Sequence, residues 1–369
     1  MADQSARGPE GRRALVVGVG LIGGSIGAAL RRAGWHVVGR DLRPETLTTA
    51  VEVGAIDEVA PVEGPVDVEL TFVATPVGVI VDEVRRALTD TPGLVTDAGS
   101  VKAPLLELMA SPRFVGGHPM AGSEQEGVTG ARADLFEGRS WVLTPVPGTD
   151  DDAFAEVGSV IASFGADVVS LPPERHDSIV AVVSHVPHLT AASLMGLADE
   201  RATEHRSLLR LAAGGFRDMT RIASGHPGIW PDICAENRTA IVSELDRLIA
   251  TLGQVRDLVE GGDRDGLVAV LERARSARQA LPARFARPED LAEIRVPLRD
   301  QTGAIAAVTA LADALDVNLA DIEIAHSVEG DEGVLILLVE VGDGDRLHQG
   351  LAEAGYKPVL RPLDAGEER

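Results

Sequence analysis

Residues 14–41 read ALVVGVGLIGGSIGAALRRAGWHVVGRD, and no other stretch restricts the fold of this chain so tightly. Residues 14–17 are an apolar, β-branched run expected to form a buried strand. Gly18, Gly20 and Gly23 follow as G-x-G-x-x-G, residues 25–33 have helical composition, and residues 35–39 read as a second strand running into Arg40 and Asp41. The glycine spacing alone is a weak signal. Strand, glycines, helix, strand and acid in this order are the pattern of a βαβ dinucleotide site. One glycine serves a tight turn, one lets backbone approach a pyrophosphate, and one allows helix and strand to pack, with the phosphates at the helix N-terminus. Asp41 stands where a carboxylate takes the ribose hydroxyls of NAD. Arg40 could accommodate a 2′-phosphate, but Asp41 would repel one, so NAD is expected over NADP.

The same stretch has a competing reading. Arg12 and Arg13 precede seventeen uncharged residues, as in an export signal or a membrane span. The run falls short of the roughly 20 apolar residues a span needs. It also carries five glycines, and its second half is required as the βαβ helix. Residues 1–12 are therefore expected to be a disordered tail. A single cysteine, Cys234, excludes an internal disulfide or a thiolate metal cage and fits a cytoplasmic location. A formal charge of −23 argues against nucleic acid and anionic membrane as partners. Any anionic ligand must then be held by a few local cations.

Residues 13–172 alternate strand and helix, as a doubly wound α/β sheet of Rossmann type should. Strands at 66–74, 94–96 and 114–117 end in Thr75-Pro76, Asp97-Ala98-Gly99-Ser100 and His118-Pro119, and strands at 141–144 and 167–171 extend the sheet. Residues 173–282 carry helical patterns at 174–197, 201–212, 231–259 and 263–280. In the third, Ile241, Leu245, Leu248, Leu252, Val255 and Val259 recur at coiled-coil-like spacing, which suits a core face and also a homodimer seam. A linker at 282–289 leads to strand, helix, strand, strand, helix, strand over 290–364, the ferredoxin-like βαββαβ order. The second helix there is expected at 347–354, and residues 364–369 are expected to be disordered.

A nicotinamide site needs a group that accepts a hydroxyl proton as hydride leaves. His118, after a strand and flanked by glycines, is the best candidate base, against a loop histidine with no role. Ser100 could bond the same hydroxyl, cap the following helix, or do both. His185 and His188 would share a helical face, but no third ligand accompanies them at metal spacing, so no metal site is expected. They are read as donors to an anionic ligand or as half-buried helix polars. Arg217 and Arg221 follow the turn at Gly214 and Gly215; one is expected to clamp a carboxylate, unless it pairs with Asp218.

Together GVGLIGGS, ATP, TDAGSVK, FVGGHPMAGSEQEG, VVSHVPH, GGFRDMTRIA and WPDICAEN resemble the prephenate/arogenate dehydrogenases of tyrosine biosynthesis. The tail is similar to the ACT domain that some of them append. The resemblance implies oxidative decarboxylation of prephenate to 4-hydroxyphenylpyruvate with hydride transfer to NAD. It implies that His118 deprotonates the hydroxyl with Ser100 as hydrogen-bonding partner. Arg221 would hold a substrate carboxylate, and Ser184, His188, Ser123, Glu124 and Gly214 would line the substrate. Gly18, Gly20, Leu21, Ile22, Gly23, Asp41, Thr75 and Pro76 would contact NAD. Arogenate as substrate, and a non-catalytic NAD-binding regulator, are the alternatives. A generic β-hydroxyacid dehydrogenase would need a helical lysine, and none occurs between Lys102 and Lys357. An amino-acid effector such as tyrosine is expected near residues 300–303, against a purely structural appendage.

Overall fold

The computed structural model describes residues 11–123, 125–204, 211–279, 291–299, 303–326 and 332–362. The chain divides into two compact units, Met1–Arg256 and Asp257–Arg369.

In the first unit β1 (Arg13–Val17) carries one strand period on each face. Ala14 and Val16 enter one core with Ile26, Leu30, Phe72, Trp141 and Phe164, while Leu15 and Val17 enter another with Ile80, Val84, Val95 and Phe114. The strand is thus covered on both sides, as its apolar run requires. It is followed by α1 (Leu21–Arg32), β2 (His36–Arg40), α2 (Pro44–Glu52) and the short β3 (Glu58–Val59). Next come β4 (Leu70–Val73), α3 (Val77–Asp90), β5 (Leu94–Asp97), α4 (Ala103–Leu108) and β6 (Phe114–Pro119). β7 (Ser140–Thr144), α5 (Asp151–Ala162) and β8 (Asp167–Ser170) complete an eight-stranded sheet of order β3-β2-β1-β4-β5-β6-β7-β8. All neighbours are parallel except β6 and β7. The chain crosses the sheet between β3 and β4, so the crevice where such sheets bind ligands lies beyond the carboxyl ends of β1 and β4.

Arg12, expected in the loose tail, is anchored. Its guanidinium lies 4.1 Å over the Trp35 ring and bonds Glu69 (2.6 Å) and Glu156 (2.5 Å).

The helices begin with α6 (Pro173–Val180), run through a π turn at Ala181–His185, and continue as α7 (Val186–Glu204). By length and composition alone, Pro173–Ala202 could cross a membrane. α8 (Gly214–Thr220), α9 (Trp230–Glu236) and α10 (Arg238–Glu260) come next. The single helix expected over 231–259 is broken at Asn237, whose buried side chain is spent on other partners. Of the helix expected at 201–212, residues 205–210 lie outside the described residues. Along α10 Ile241 is buried, but Leu252 is 56% exposed and Val259 is exposed too.

The second unit contains α11 (Arg264–Gln279) and then β9 (Leu291–Arg299), α12 (Ala304–Ala314), β10 (Leu319–His326), β11 (Glu332–Glu340), α13 (Val341–Glu353) and β12 (Val359–Pro362). The sheet is antiparallel, of order β10-β11-β9-β12, over a core of Ile294, Val296, Val308, Leu337, Leu347 and Leu351. The βαββαβ order is present. α13 starts six residues earlier than expected because Gly342 and Gly344 disguise its first turn. Gly344 is there for space, since a Cβ would sit 3.2 Å from Leu360 and 3.3 Å from Ala292. The expected linker at 282–289 and the tail at 364–369 lie outside the described residues.

Candidate active site

At the carboxyl end of β1, Gly18 has φ +84°, and a Cβ on it would stand 2.7 Å from the Ala74 carbonyl oxygen. A Cβ on Gly23 would stand 1.9 Å from the Gly18 oxygen, so the turn and α1 close on each other only without side chains. Gly20 differs: its Cβ would meet nothing within 4 Å, leaving open room before α1. No side chain caps α1 and no acid occupies its first turn, so its leading amides are available to an anion. Asp41 is fixed beside them, Oδ2 accepting from the Val19 amide (2.9 Å) and Oδ1 from the Arg43 amide (3.0 Å). The Thr75 hydroxyl is buried without a partner among the described residues. Its methyl lies 3.1 Å from the Cβ position of Gly18, on the wall of the same turn. A cradle without side chains, uncapped amides, a fixed carboxylate and an orphaned hydroxyl fit NAD. Pro76 lies exposed at the N-cap of α3, and Leu21 and Ile22 open α1 half-buried.

Arg40 does not fit the role considered for it. It is 4% exposed, bonds Asp90 (3.1 Å) and the Gly64 carbonyl (2.8 Å), and is unavailable to a 2′-phosphate. Strand alternation turns it away from Asp41. The guanidinium near Asp41 is that of Arg43, at 3.8 Å.

His118 belongs to β6 itself rather than to a loop, opposite Val142 of β7. Its Nδ1 lies 2.8 Å from His176 Nε2, and His176 Nδ1 lies 2.8 Å from Asp177 Oδ1. The Asp177 carboxylate also accepts from the Lys102 amide on Oδ1 (2.8 Å) and the Ala103 amide on Oδ2 (2.8 Å), so a side chain of α6 caps α4. The capping role open to Ser100 is not the one it takes: the N-cap residue is Lys102, and Ser100 lies half-buried in the loop before it. No hydrogen bond joins Ser100 to His118.

Behind His118 the Lys102 ammonium is buried, pairs with Asp97 and donates to the Gly117 carbonyl (2.8 Å). Asp97 also accepts from the Gly99 (2.8 Å) and Gly117 (3.0 Å) amides. Burial lowers the Lys102 pKa against the pull of Asp97. His118 is held well below the ordinary histidine value, first by burial and then by His176, Lys102 and His185. It is therefore neutral at neutral pH, as a base must be.

A second arm of the network runs from Asp177. The Asn237 amide donates to the Asp177 carbonyl (2.9 Å) and lies 3.2 Å from His185 Nδ1. His185 meets the Trp230 ring edge-on at 6.2 Å, and His188 stacks on it at 3.6 Å. Burial brings the His185 pKa down to about 4 and lowers that of His188. His185 is thus a neutral interior group, not a cationic donor. Among the described residues no group of three or more His, Cys, Asp or Glu could hold a metal.

Ser184 lies half-buried in the π turn. Arg221 is exposed where the 3-10 turn Arg221–Ser224 begins, and Gly214 opens α8. Arg217 donates to the Ala212 carbonyl (3.1 Å). Ser123 is exposed and accepts from the Gln125 amide (3.1 Å), and Glu124 lies outside the described residues. Asp97, Lys102, His176, Asp177 and Asn237 were not singled out by sequence reasoning. Asp97 and Lys102 fall inside TDAGSVK and Asn237 inside WPDICAEN, but His176-Asp177 lies within a short polar helix and reads as ordinary helix polarity.

Residues 26–170 match the family model for the nucleotide-binding domain of prephenate dehydrogenase, and residues 172–273 that for its dimerization domain. A prephenate dehydrogenase of Bacillus subtilis is 33% identical over 354 residues, 92% of this chain and 95% of that protein. The chain belongs to the prephenate dehydrogenase family. Membership makes it an NAD-dependent oxidoreductase. The crystal structure of Aquifex aeolicus prephenate dehydrogenase with hydroxyphenyl propionate and NAD+ is 32% identical, with a TM-score of 0.67 over 72% of this chain and 97% of that one. Synechocystis arogenate dehydrogenase is 29% identical, with a TM-score of 0.62 over 72% and 98%.

Proposed function

We propose that the chain converts prephenate to 4-hydroxyphenylpyruvate, with His118 as the base. The observation that carries this reading is a neutral, half-buried imidazole at the end of a central strand, bonded on one nitrogen and without a protein partner on the other among the described residues. When bound, NAD takes the hydride. The chain holds the cofactor with Gly18, Gly20, Leu21, Ile22, Gly23, Asp41, Thr75 and Pro76, and the substrate with Ser100, Ser123, Glu124, Ser184, His188, Gly214 and Arg221. Because the chain carries −23 net charge, a dianionic substrate needs a local cation, and Arg221 is that group.

Purified protein mixed with prephenate and NAD should form NADH. His118→Ala should lower mainly kcat, and Arg221→Ala should raise mainly KM. The opposite split would reverse these roles, and no NADH would remove the reading. Likeness to an arogenate dehydrogenase supports a second substrate, so the same assay should be run with arogenate and with NADP.

Residues 173–282 are read as the dimerising, substrate-facing part, supported by the exposed apolar side chains Val182, Val183, Leu197 and Leu252. The βαββαβ unit at 290–364 is read as an ACT-like domain taking tyrosine, supported by its strand order and by Gly303 (φ +89°) before α12. Residues 300–302 lie outside the described residues. If deleting residues 290–369 leaves tyrosine inhibition intact, the effector reading fails. One cysteine in the whole chain supports a cytoplasmic location.

A further inference from the structure

We propose that His176 and Asp177 are positioning residues that hold His118 in the single tautomer whose Nε2 accepts the hydroxyl proton. The inference rests on the function proposed for His118, and its test separates the two.

The direction of each hydrogen bond decides the tautomer. Both Asp177 oxygens face backbone donors, the Lys102 and Ala103 amides, and an ionised carboxylate only accepts. The hydrogen between His176 and Asp177 therefore sits on His176 Nδ1. In the proposed arrangement that is the only ring hydrogen His176 carries, so its Nε2 presents a lone pair to His118 Nδ1, 2.8 Å away. His118 Nδ1 must then carry the hydrogen, and its Nε2 is left as the acceptor. With one hydrogen on each ring the links run in one direction, because the chain of bonds ends on a carboxylate that cannot donate. His176 is 1% exposed and Asp177 5%, so water does not compete for these bonds. The two rings stand nearly perpendicular, at 79°, with centroids 5.0 Å apart, so the pair is bonded edge to edge and not stacked.

His176 from α6 bonds His118, and the Lys102 ammonium, from the turn before α4, donates to the carbonyl of the neighbouring Gly117. Burial and the Lys102 ammonium disfavour a cation on His118. When the substrate O–H bond breaks, the electron pair stays on oxygen and the proton joins His118 Nε2. The new positive charge then lies two hydrogen bonds from the Asp177 carboxylate, which offsets part of that disfavour. Which ring nitrogen of a histidine is protonated depends on the bond its other nitrogen makes. Without His176, nothing on this path would select the productive form.

The test uses the full chain with nitrogen-labelled histidine, His118 being assigned with His118→Asn. In the wild-type protein the His118 nitrogen signals should report a protonated Nδ1 and an unprotonated Nε2. His176→Phe keeps the ring volume but removes the acceptor; it should shift His118 toward the opposite tautomer. It should also lower kcat on the order of a hundredfold, with KM and NAD affinity within about twofold. His176→Gln, whose amide oxygen reaches the Nε2 position, should keep the tautomer and most of kcat. A wild-type His118 protonated on Nε2 overturns the proposal without any variant. So does a His176→Phe protein with unchanged tautomer, or one whose kcat matches wild type. If the tautomer shifts as stated but wild-type protein makes no NADH from prephenate or arogenate, the positioning role stands and the functional reading fails.

Discussion

Single residues here divide into those that make room and those that hold charge. Gly23 and Gly20 look alike in the sequence but differ in what a side chain would meet: the Gly18 carbonyl in one case and open space in the other. Gly23→Ala should therefore lower the melting temperature, at a cost of about 1–3 kcal/mol for forced overpacking. Gly20→Ala should leave the melting temperature unchanged and weaken NAD binding at least about tenfold, as measured by calorimetry. Equal loss of stability in both would mean that the room before α1 is not a ligand cradle. His185 supplies a pH prediction whose sign is fixed. Its pKa is about 4 in the fold against 6.5 in the unfolded chain, so between these values the unfolded state binds a proton that the native state does not. Stability is fully present above pH 6.5 and is lost as pH falls through that window, with His118 acting in the same direction. Wild-type protein should lose melting temperature over that range more steeply than His185→Gln, as scanning calorimetry would read.

At the scale of elements, the π turn at Ala181–His185 sets the phase of everything after it. Such turns insert one extra residue into a helix and recur at functional sites. Deleting Val183, an exposed residue, should restore regular helix and rotate α7 by about 100°. His188 would then leave Trp230. Turnover should be lost while NAD affinity stays within about twofold; retained turnover would show that the phase does not matter. Elements were also what the sequence disclosed best. β1, α1 and β2 were legible from an apolar run, glycine spacing and helical composition, all local signals. The break at Asn237 and the early start of α13 were not legible, because a buried side-chain bond in one case and close packing against Leu360 in the other overrule composition. The placement of His118 at the carboxyl end of a sheet strand was legible through the apolar run and glycines before it. His176 and Asp177 were not, since their partners on β6 and α4 lie more than fifty residues away in the chain. The side on which Arg40 would fall was missed too, for adjacency in sequence does not say which face of a strand a residue takes.

For the whole molecule, the proposed dimerising role of residues 173–282 puts a second copy of this chain against the apolar side chains exposed on α7 and α10. Leu252→Glu should convert a dimer to monomer in sedimentation experiments at micromolar concentration, and an unchanged mass would place the interface elsewhere. The cap on α4 bears on how the molecule moves. His118 stands on a strand of the nucleotide-binding layer, its bonding partners stand on the first helix of the next layer, and the same carboxylate is fastened to amides of a third element. A jaw swinging open about residues 171–173 would tear that fastening and release the imidazole at every cycle. Opening there would break several buried or half-buried hydrogen bonds at once, so the fastening works against it.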